Sequence, residues 1–214
     1  INLRVRPDGS IYVSAPLRTP QESIESFLIA REKWILRALA RVTDRTDAYP
    51  DLPVLAQRDS VPYLGGSLRV QYAACNSRKG HWSLDEPAGL LRVELPDPTS
   101  DSWRIGALQS FEKQRTQELV QEYLRQYLPL FAERGVAAPA AVRFRIMQSR
   151  WGSCSGRTHS LSFNARLCER PHAFIEYVVV HELCHFLHGN HSADFWREVE
   201  RYLPDWQARR KLGD

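Results

Sequence analysis

Features that would place a chain of 214 residues in a special structural class are absent here. No apolar run approaches the roughly 20 residues that a bilayer-spanning helix needs, and no secretory leader pattern opens the chain. Internal repeats and low-complexity tracts are also missing. These absences exclude membrane, solenoid and disordered classes. They favour a globular protein without a membrane partner.

Cysteine is scarce, and its spacing does not resemble a disulfide framework. The four cysteines are Cys75, Cys154, Cys168 and Cys184. Cys184 falls inside a predicted helix, where a disulfide would be awkward. We therefore expect free thiols in a reducing compartment, which predicts a cytoplasmic protein.

A strong excess of one charge sign is missing as well. The chain carries 29 Lys and Arg against 25 Asp and Glu, for a net charge of +4. Basic and acidic residues are interspersed, so this charge permits a nucleotide or nucleic-acid partner but does not require one. Because the chain begins at Ile1, inside a predicted strand and without Met, we expect it to be part of a longer sequence.

The first half of the chain is predicted to be rich in β-structure with one long helix. Alternating apolar residues predict a β-hairpin over residues 1–15, and Thr19-Pro20-Gln21-Glu22 predicts a capping box that opens a helix over about 20–42. A proline-containing loop follows over 43–60. Short strand candidates then occur at 63–66, 68–72 and 90–95. Pro96-Asp97-Pro98 is the best candidate boundary, so we predict an N-terminal region of residues 1–98.

The second predicted domain covers residues 99–214. Helical spacing predicts a helix from about Ser102 to Arg134, capped by Ser100 or Asp101, kinked or interrupted by Pro129 and ended by Gly135. Three strands are predicted next, followed by a helix opened by Pro171 that runs through His185, and two more helices. The three strands span 142–146, 150–155 and 159–164, and the last two helices span 194–202 and 205–211. The predicted fold class is α+β.

The chemistry concentrates in His181-Glu182-Leu183-Cys184-His185. Two histidines four residues apart project from the same helix face, so both imidazoles can bind one Zn²⁺ ion. Glu182 points to one side, where its carboxylate can take a proton from a metal-activated water. The preceding helical run is apolar, and charged groups on a buried helix are costly without a ligand. This pattern predicts a zinc-dependent hydrolase.

A catalytic zinc site needs a third protein ligand, and two histidines downstream are candidates. His188 would stay on the same face only if the helix continued. Gly189-Asn190 indicates that the helix ends there, with the chain reversing through a left-handed residue. His191 follows that reversal and can return toward the metal, so we favour His191. The alternative for His188 is a histidine that caps the helix end.

These residues resemble the YgjP-like metallopeptidases, which are relatives of the SprT and WLM zincins. The segments that carry the resemblance are 179–185, 188–192, Phe195-Trp196, Arg150-Trp151-Gly152-Ser153-Cys154, Asn164, Trp196 to Lys211 with Pro204-Asp205, and the N-terminal motifs 4–9 and 14–16. The likeness covers most of the chain and is weakest over 43–100. It implies His181, His185 and His191 as metal ligands and Glu182 as the base, in agreement with the spacing argument.

The resemblance also implies a zincin-like domain, in which a small antiparallel or mixed sheet has an edge strand beside the active-site helix. Extended peptides can pair with such an edge. Here the edge would come from residues 142–164, so Arg150, Ser153 and Asn164 are further candidates. Packing explains Trp151-Gly152 equally well, with Gly152 letting a backbone pass close. Arg150, Tyr177 or His159 could stabilise an oxyanion, and the sequence does not choose among them.

Three functions remain in competition at this point. The first is a zinc-dependent metallopeptidase acting on a peptide or protein substrate. The second is a metal-dependent nucleoside triphosphate pyrophosphatase acting on UTP, an activity attributed to some YgjP-like proteins and compatible with the surplus of arginine. However, the chain has no glycine-rich phosphate loop and no carboxylate cluster for Mg²⁺. The third is a nucleic-acid- or protein-binding adaptor with a structural zinc, for which residues 61–95 offer no evident base-stacking platform.

Overall fold

The computed structural model describes residues 1–5, 11–17, 19–32, 34–36 and 59–213. The chain divides into two compact units, Ile1–Val54 and Leu55–Asp214. The boundary predicted near residue 98 stays a prediction, as does the division into residues 1–98 and 99–214. The predicted loop over 43–60 lies almost entirely outside the described residues.

The first unit contains the predicted hairpin and the start of the predicted helix. Strand β1 (Asn2–Val5) pairs antiparallel with β2 (Ile11–Ser14), and helix α1 spans Gln21–Ala30. The capping box does not form, because Pro20 occupies the N-cap position and has no side-chain acceptor for the first helical N–H groups. Residues 37–42 of the predicted helix lie outside the described part.

The second unit opens with a four-stranded mixed sheet in the order β3-β4-β6-β5. Its strands are β3 (Ser60–Tyr63), β4 (Gly66–Ala74), β5 (His81–Asp85) and β6 (Leu90–Leu95). The predicted strand at 63–66 is wrong, since Leu64 and Gly65 form the β3–β4 turn with φ of 48° and 80°. Strand β5 was not predicted. Its Trp82 is held by an edge-on contact with Phe111.

Helix α2 (Asp101–Ala132) crosses the second unit and contributes to both of its hydrophobic clusters. Ser100 occupies the N-cap position, although its side chain accepts no capping hydrogen bond. The helix continues through Pro129 for another turn, so the predicted interruption does not occur. Gly135, with φ of 80°, follows the helix end as expected.

A three-stranded sheet in the order β7-β9-β8 follows α2. Its strands are β7 (Ala141–Arg145), β8 (Gly152–Ser155) and β9 (Ser160–Asn164). The central strand β9 pairs parallel with β7 and antiparallel with β8, which leaves β8 at one edge of the sheet. The prediction of a small mixed sheet with an edge strand in this region agrees with the structure.

Three helices end the described chain: α3 (His172–Cys184), α4 (Ala193–Tyr202) and α5 (Trp206–Arg210). Mixed helices and sheets of this kind confirm the predicted α+β class. Within the described residues, no helix has both the length and the hydropathy that crossing a membrane requires.

The segment before α3 is tied to the rest of the unit by backbone contacts. The Leu64 and Gly65 N–H groups donate to the carbonyls of Cys168 and Glu169, at 2.8 and 3.0 Å. A Cβ atom on Gly65 would lie 2.7 Å from Cγ of Pro171, at the start of α3. Glycine is therefore required both for this close approach and for the left-handed backbone.

Thr116 on α2 also holds that segment. Its buried hydroxyl donates to the Ala165 carbonyl at 2.7 Å and accepts from the Cys168 N–H at 2.9 Å. Ala165 lies in a turn, and Cys168 lies in the one-turn 3₁₀ helix Leu167–Glu169, where the first N–H groups have no partner within the helix. The hydroxyl therefore supplies both with partners that secondary structure does not.

Replacing Thr116 with valine keeps the shape of the side chain and removes both hydrogen bonds. We expect the free energy of unfolding to fall by about 2 to 4 kcal/mol, since each buried group left unpaired costs roughly 1 to 3 kcal/mol. Denaturant unfolding measures this change, and Thr116→Ser, which keeps the hydroxyl, is the matched control. Equal stability of the valine variant and the unmodified protein would show that these two hydrogen bonds do not stabilise the fold.

Candidate metal centre

The helix that carries the motif is buried on nearly every side. Phe174, Ile175, Tyr177, Val178, Val179 and Val180 are all buried, and so are Leu183 and Cys184. A run of three valines is a weak helix former because β-branched side chains lose rotamers in a helix. Burial of this apolar surface outweighs that preference. The helix therefore brings the motif's polar side chains into the interior of the unit.

The predicted histidines converge at the C-terminal end of α3. His181, His185 and His191 each place one ring nitrogen within 4.8 Å of the others, and Nε2 of His191 lies 3.0 Å from Nε2 of His181. Two nitrogens bound to one tetrahedral zinc at 2.0–2.1 Å would lie about 3.3 Å apart. The arrangement is thus close to that of a three-histidine metal site.

The route by which His191 reaches this cluster differs from the prediction. Helix α3 ends at Cys184 with His185 at the C-cap, earlier than Gly189-Asn190. Neither Gly189 nor Asn190 has a left-handed backbone. The chain instead turns over residues 185–190, and Ser192 then caps α4 by accepting the Phe195 N–H. The position of His191 is set by the start of α4.

Other side chains and the backbone orient the imidazoles. Nδ1 of His185 donates to the carbonyl oxygen of His188 at 3.1 Å, and Nδ1 of His181 lies 3.3 Å from the Tyr177 hydroxyl. Such contacts on the far nitrogen leave Nε2 free for a metal. His188 thus contributes its carbonyl to the site.

The ring of Phe195 on α4 packs against all three imidazoles. Its ring centroid lies 4.9, 4.6 and 4.8 Å from those of His181, His185 and His191. The ring is fully buried. It therefore fixes the spacing of the imidazoles and separates them from the core.

Burial favours the neutral form of His181 and His185, which is the form that binds metal. Desolvation, with smaller contributions from the neighbouring His185, His191 and Arg210, lowers the pKa of His181 to about 3. Desolvation also lowers the pKa of His185. Neutral imidazoles are available as ligands throughout the physiological pH range.

Glu182 lies between α3 and the edge strand β8, with 5% of its surface exposed. A Cβ atom on Gly152 would fall 2.6 Å from its Oε1, so glycine makes room for this carboxylate, where the sequence indicated a passing backbone. Its other oxygen, Oε2, is buried and has no hydrogen-bond partner. Burial raises the pKa of Glu182 to about 8, while Arg150 and a hydrogen bond from the Cys154 backbone lower it.

The centre opens into a cavity of about 820 Å³. Its lining comes from the segment 149–156, from α3 and from the chain that follows α3, namely His185, Gly189, His191, Arg210 and Gly213. Three of the four residues of the edge strand β8, Gly152, Ser153 and Cys154, line the cavity. An extended chain lying there could reach both the strand and the histidines.

The other predicted candidates separate into two groups. Arg150, Ser153 and Tyr177 line the cavity. His159 does not, because its ring packs on Phe186 and its Nε2 contacts the Ala137 carbonyl at 2.9 Å.

Asn164 also lies outside the cavity, yet it shapes one wall. Its buried amide nitrogen donates to the carbonyls of Met147 and Arg150 at 2.8 and 3.2 Å. Its Oδ1 accepts from the N–H groups of Met147 and Arg166. Asn164 thus holds the loop that carries Arg150.

Arg210 was not among the candidates from the sequence, which placed it only within the last predicted helix, 205–211. Helix α5 returns Arg210 to the cavity wall, where its guanidinium lies 5.7 Å from the Trp196 ring. Sequence spacing could not reveal this, since Arg210 lies 25 positions after His185. The available signal was the spacing of four between Trp206 and Arg210, which places the two on the same face of the helix.

These residues fit a bound transition metal. The potential ligands are imidazole nitrogens, which suit zinc better than magnesium or calcium. Oε2 of Glu182, buried without a partner, is the kind of acceptor that a water on the metal would satisfy. Both observations favour a metal held by His181, His185 and His191.

The choice between His191 and His188 as the third ligand can be tested directly. We expect His191→Ala to lower zinc affinity by more than about 100-fold, since loss of even an outer contact costs 10- to 100-fold. His188→Ala removes an imidazole of the same loop but keeps the carbonyl that accepts from His185, and should retain zinc. Competitive titration with a chromogenic chelator gives both affinities. Stronger loss in the His188 variant would exclude His191 as the ligand.

Comparison with known proteins provides a family match. The family model described as YgjP-like, metallopeptidase domain, matches residues 1–212. No curated protein matches the chain. Among solved structures, one titled as the crystal structure of the metallopeptidase zymogen of Pyrococcus abyssi abylysin is 21% identical, covers 45% of this chain and 87% of its own, and has a TM-score of 0.35. On the match over residues 1–212, the chain belongs to the YgjP-like metallopeptidase family.

Proposed function

We propose that this protein is a zinc-dependent peptidase, with His181, His185 and His191 as zinc ligands and Glu182 as general base. The observation that carries the proposal is the unpartnered Oε2 of Glu182, buried beside three converging imidazoles. An unpaired buried acceptor is costly, and next to a set of imidazoles that can hold a metal its natural partner is a water bound to that metal.

Zinc at this position would lower the pKa of a coordinated water toward neutrality and polarise a substrate carbonyl. The protein's own contribution is the proton path. In its ionised form, which the positive charge of a bound zinc would favour, Glu182 can accept a proton from that water and return it to the leaving amine. Gly152 and the Cys154 backbone hold the carboxylate in place for both transfers.

The edge strand β8 supports a peptide as the substrate. Its one partner among the described strands is β9, so its other edge is unpaired there, and Gly152, Ser153 and Cys154 of β8 line the cavity. An extended peptide can add to such an edge through backbone hydrogen bonds that do not depend on its sequence. The bond to be cleaved would then lie between β8 and the histidines.

The nucleotide alternative receives less support from the same cavity. Arg150 and Arg210 could bind phosphates. However, Glu182 is the sole carboxylate among the described cavity residues, so a Mg²⁺ that accompanies a triphosphate has no cluster of oxygen ligands there. The adaptor alternative is also weaker, since a structural zinc has four protein ligands.

The state of the cysteines supports a cytoplasmic location for the peptidase. Cys75, Cys154, Cys168 and Cys184 are all free. Desolvation raises the pKa of the Cys154 and Cys168 thiols to about 12, which keeps them protonated and unreactive.

Replacement of Glu182 by glutamine tests the proposal. The amide keeps the shape but cannot accept a proton, so we expect peptide cleavage to fall by about 100- to 10,000-fold, the range for general base catalysis. The assay is a mass-spectrometric digest of a broad peptide library with the zinc-loaded protein. Zinc content by elemental analysis should not change. Cleavage that persists in this variant, or release of pyrophosphate from UTP in place of peptide cleavage, would reject the peptidase mechanism.

The close approach of Gly152 to Glu182 gives an independent prediction. In Gly152→Ala the new methyl group would displace the carboxylate, so cleavage should fall by at least about 10-fold while zinc affinity stays the same. Gly156→Ala is the matched control, because Gly156 lines the same cavity and a Cβ atom there meets nothing within 4 Å. Equal activity of the two variants would show that Gly152 does not position the base.

A further inference from the structure

The charges around the cavity are unbalanced. Two arginines line it, Arg150 from the β7–β8 loop and Arg210 from α5, against the single carboxylate of Glu182. Within the described ranges, neither guanidinium has an ion pair or a hydrogen-bond acceptor. Arginine has five N–H donors and usually finds carboxylates or phosphates to accept them.

Helix α5, which carries Arg210, is anchored by two contacts. One helical turn earlier, Trp206 stacks on Trp196 with ring centroids 4.2 Å apart and an interplanar angle of 14°. The preceding residue, Arg209, forms an ion pair with Glu176 on α3. Because α5 is anchored in this way, Arg210 presents its charge at a defined place in the cavity wall.

That place is next to the metal centre. The Arg210 guanidinium carbon lies 5.7 Å from the Trp196 ring, and the same ring stacks beside His191 with centroids 5.6 Å apart. The positive charge of Arg210 also reaches His181 and Tyr177: it adds to the desolvation that lowers the pKa of His181 and opposes the desolvation that raises the pKa of Tyr177. A positive charge near three metal-binding imidazoles disfavours the bound metal, so its position requires another explanation.

The contact with Trp196 is one explanation, but it is a weak one. A cation over an aromatic ring at an exposed site contributes only about 0.5 to 1 kcal/mol. Trp196 is already held by its stacking with Trp206 and by its place on α4. The N–H donors of Arg210 therefore remain available to a ligand in the cavity.

We infer that Arg210 selects substrates by binding a carboxylate next to the bond to be cleaved. This inference rests on the proposed peptidase function and names its substrate class as peptides with a carboxylate at one defined position. The carboxylate can belong to an Asp or Glu side chain or to the C-terminus of the peptide. Arg150, which is exposed and also lines the cavity, adds to the positive field that attracts such a substrate.

The test measures binding separately from cleavage. Zinc-loaded Glu182→Gln protein, which should bind peptides without cleaving them, is incubated with two hexapeptide libraries of the same sequences. One library has free C-termini and the other has C-terminal amides. Mass spectrometry of the retained peptides gives the preference for acidic peptides, which carry a carboxylate in a side chain or at the C-terminus, over neutral, amidated peptides. The preference is measured with and without Arg210→Gln in the same protein.

We expect Arg210→Gln to lower the preference for acidic peptides by about 10- to 100-fold, the range for a hydrogen bond between charged groups. Binding of neutral, amidated peptides should change less than about twofold. Lys211→Gln is the matched control, since it removes the same charge from the next residue, which is exposed and does not line the cavity. A preference that survives amidation assigns the carboxylate to a side chain, and one that disappears assigns it to the C-terminus.

Three results would overturn the inference: no acidic preference in the parent protein, a preference that Arg210→Gln leaves intact, or an equal loss in Lys211→Gln. Selective retention of UTP over acidic peptides would overturn it as well. Failure of the peptidase function has a different signature. In that case peptides retained by the Glu182 variant would not be cleaved by the unmodified protein, while the binding comparison would still decide the role of Arg210.

Discussion

Burial of helix α3 is the constraint on which the remaining structure depends. Its apolar residues contact α2, the three-stranded sheet and both C-terminal helices, so the core of the second unit forms around it. The metal motif occupies the last turn of that helix. Since polar groups are costly in such surroundings, every neighbouring element has to supply either a partner or space for them. The contacts of His185 with the His188 carbonyl and of Glu182 with Gly152 meet this demand.

Local spacing was sufficient to predict the part of the site that lies on one helix. His181 and His185 are four residues apart, and helix geometry alone places them on one face. The prediction of His191 depended in addition on where the chain turns after the helix. The predicted turn is wrong, but His191 still reaches the other two histidines. Its position is set by the start of α4, which Ser192 caps. Its identity as a ligand stays a prediction that zinc titration decides.

Sequence reasoning failed where a residue's role depends on contacts distant in the chain. Gly152 could be recognised as a close-approach glycine, but its neighbour, the Glu182 carboxylate, becomes apparent only when β8 packs beside α3. Arg210 resembles any basic helix end until α5 folds back over Trp196. Strand β5 was missed for the same reason, since Trp82 packs against a helix residue 29 positions later. Patterns of periods 2 and 3.6 contain no information on such packing.

The family explains the reaction centre, whereas the side chains of the cavity have to explain the choice of substrate. Membership of the YgjP-like family accounts for a metallopeptidase centre, which the motif and its helix supply. Substrate choice must come from side chains that surround the centre, because a strand edge recognises any extended backbone. In this cavity those side chains are mainly small or aromatic, and the charged ones other than Glu182 are Arg150 and Arg210. Among the described residues, two guanidinium groups against one carboxylate therefore favour an anionic over a cationic group on the substrate, which is the basis of the proposal for Arg210.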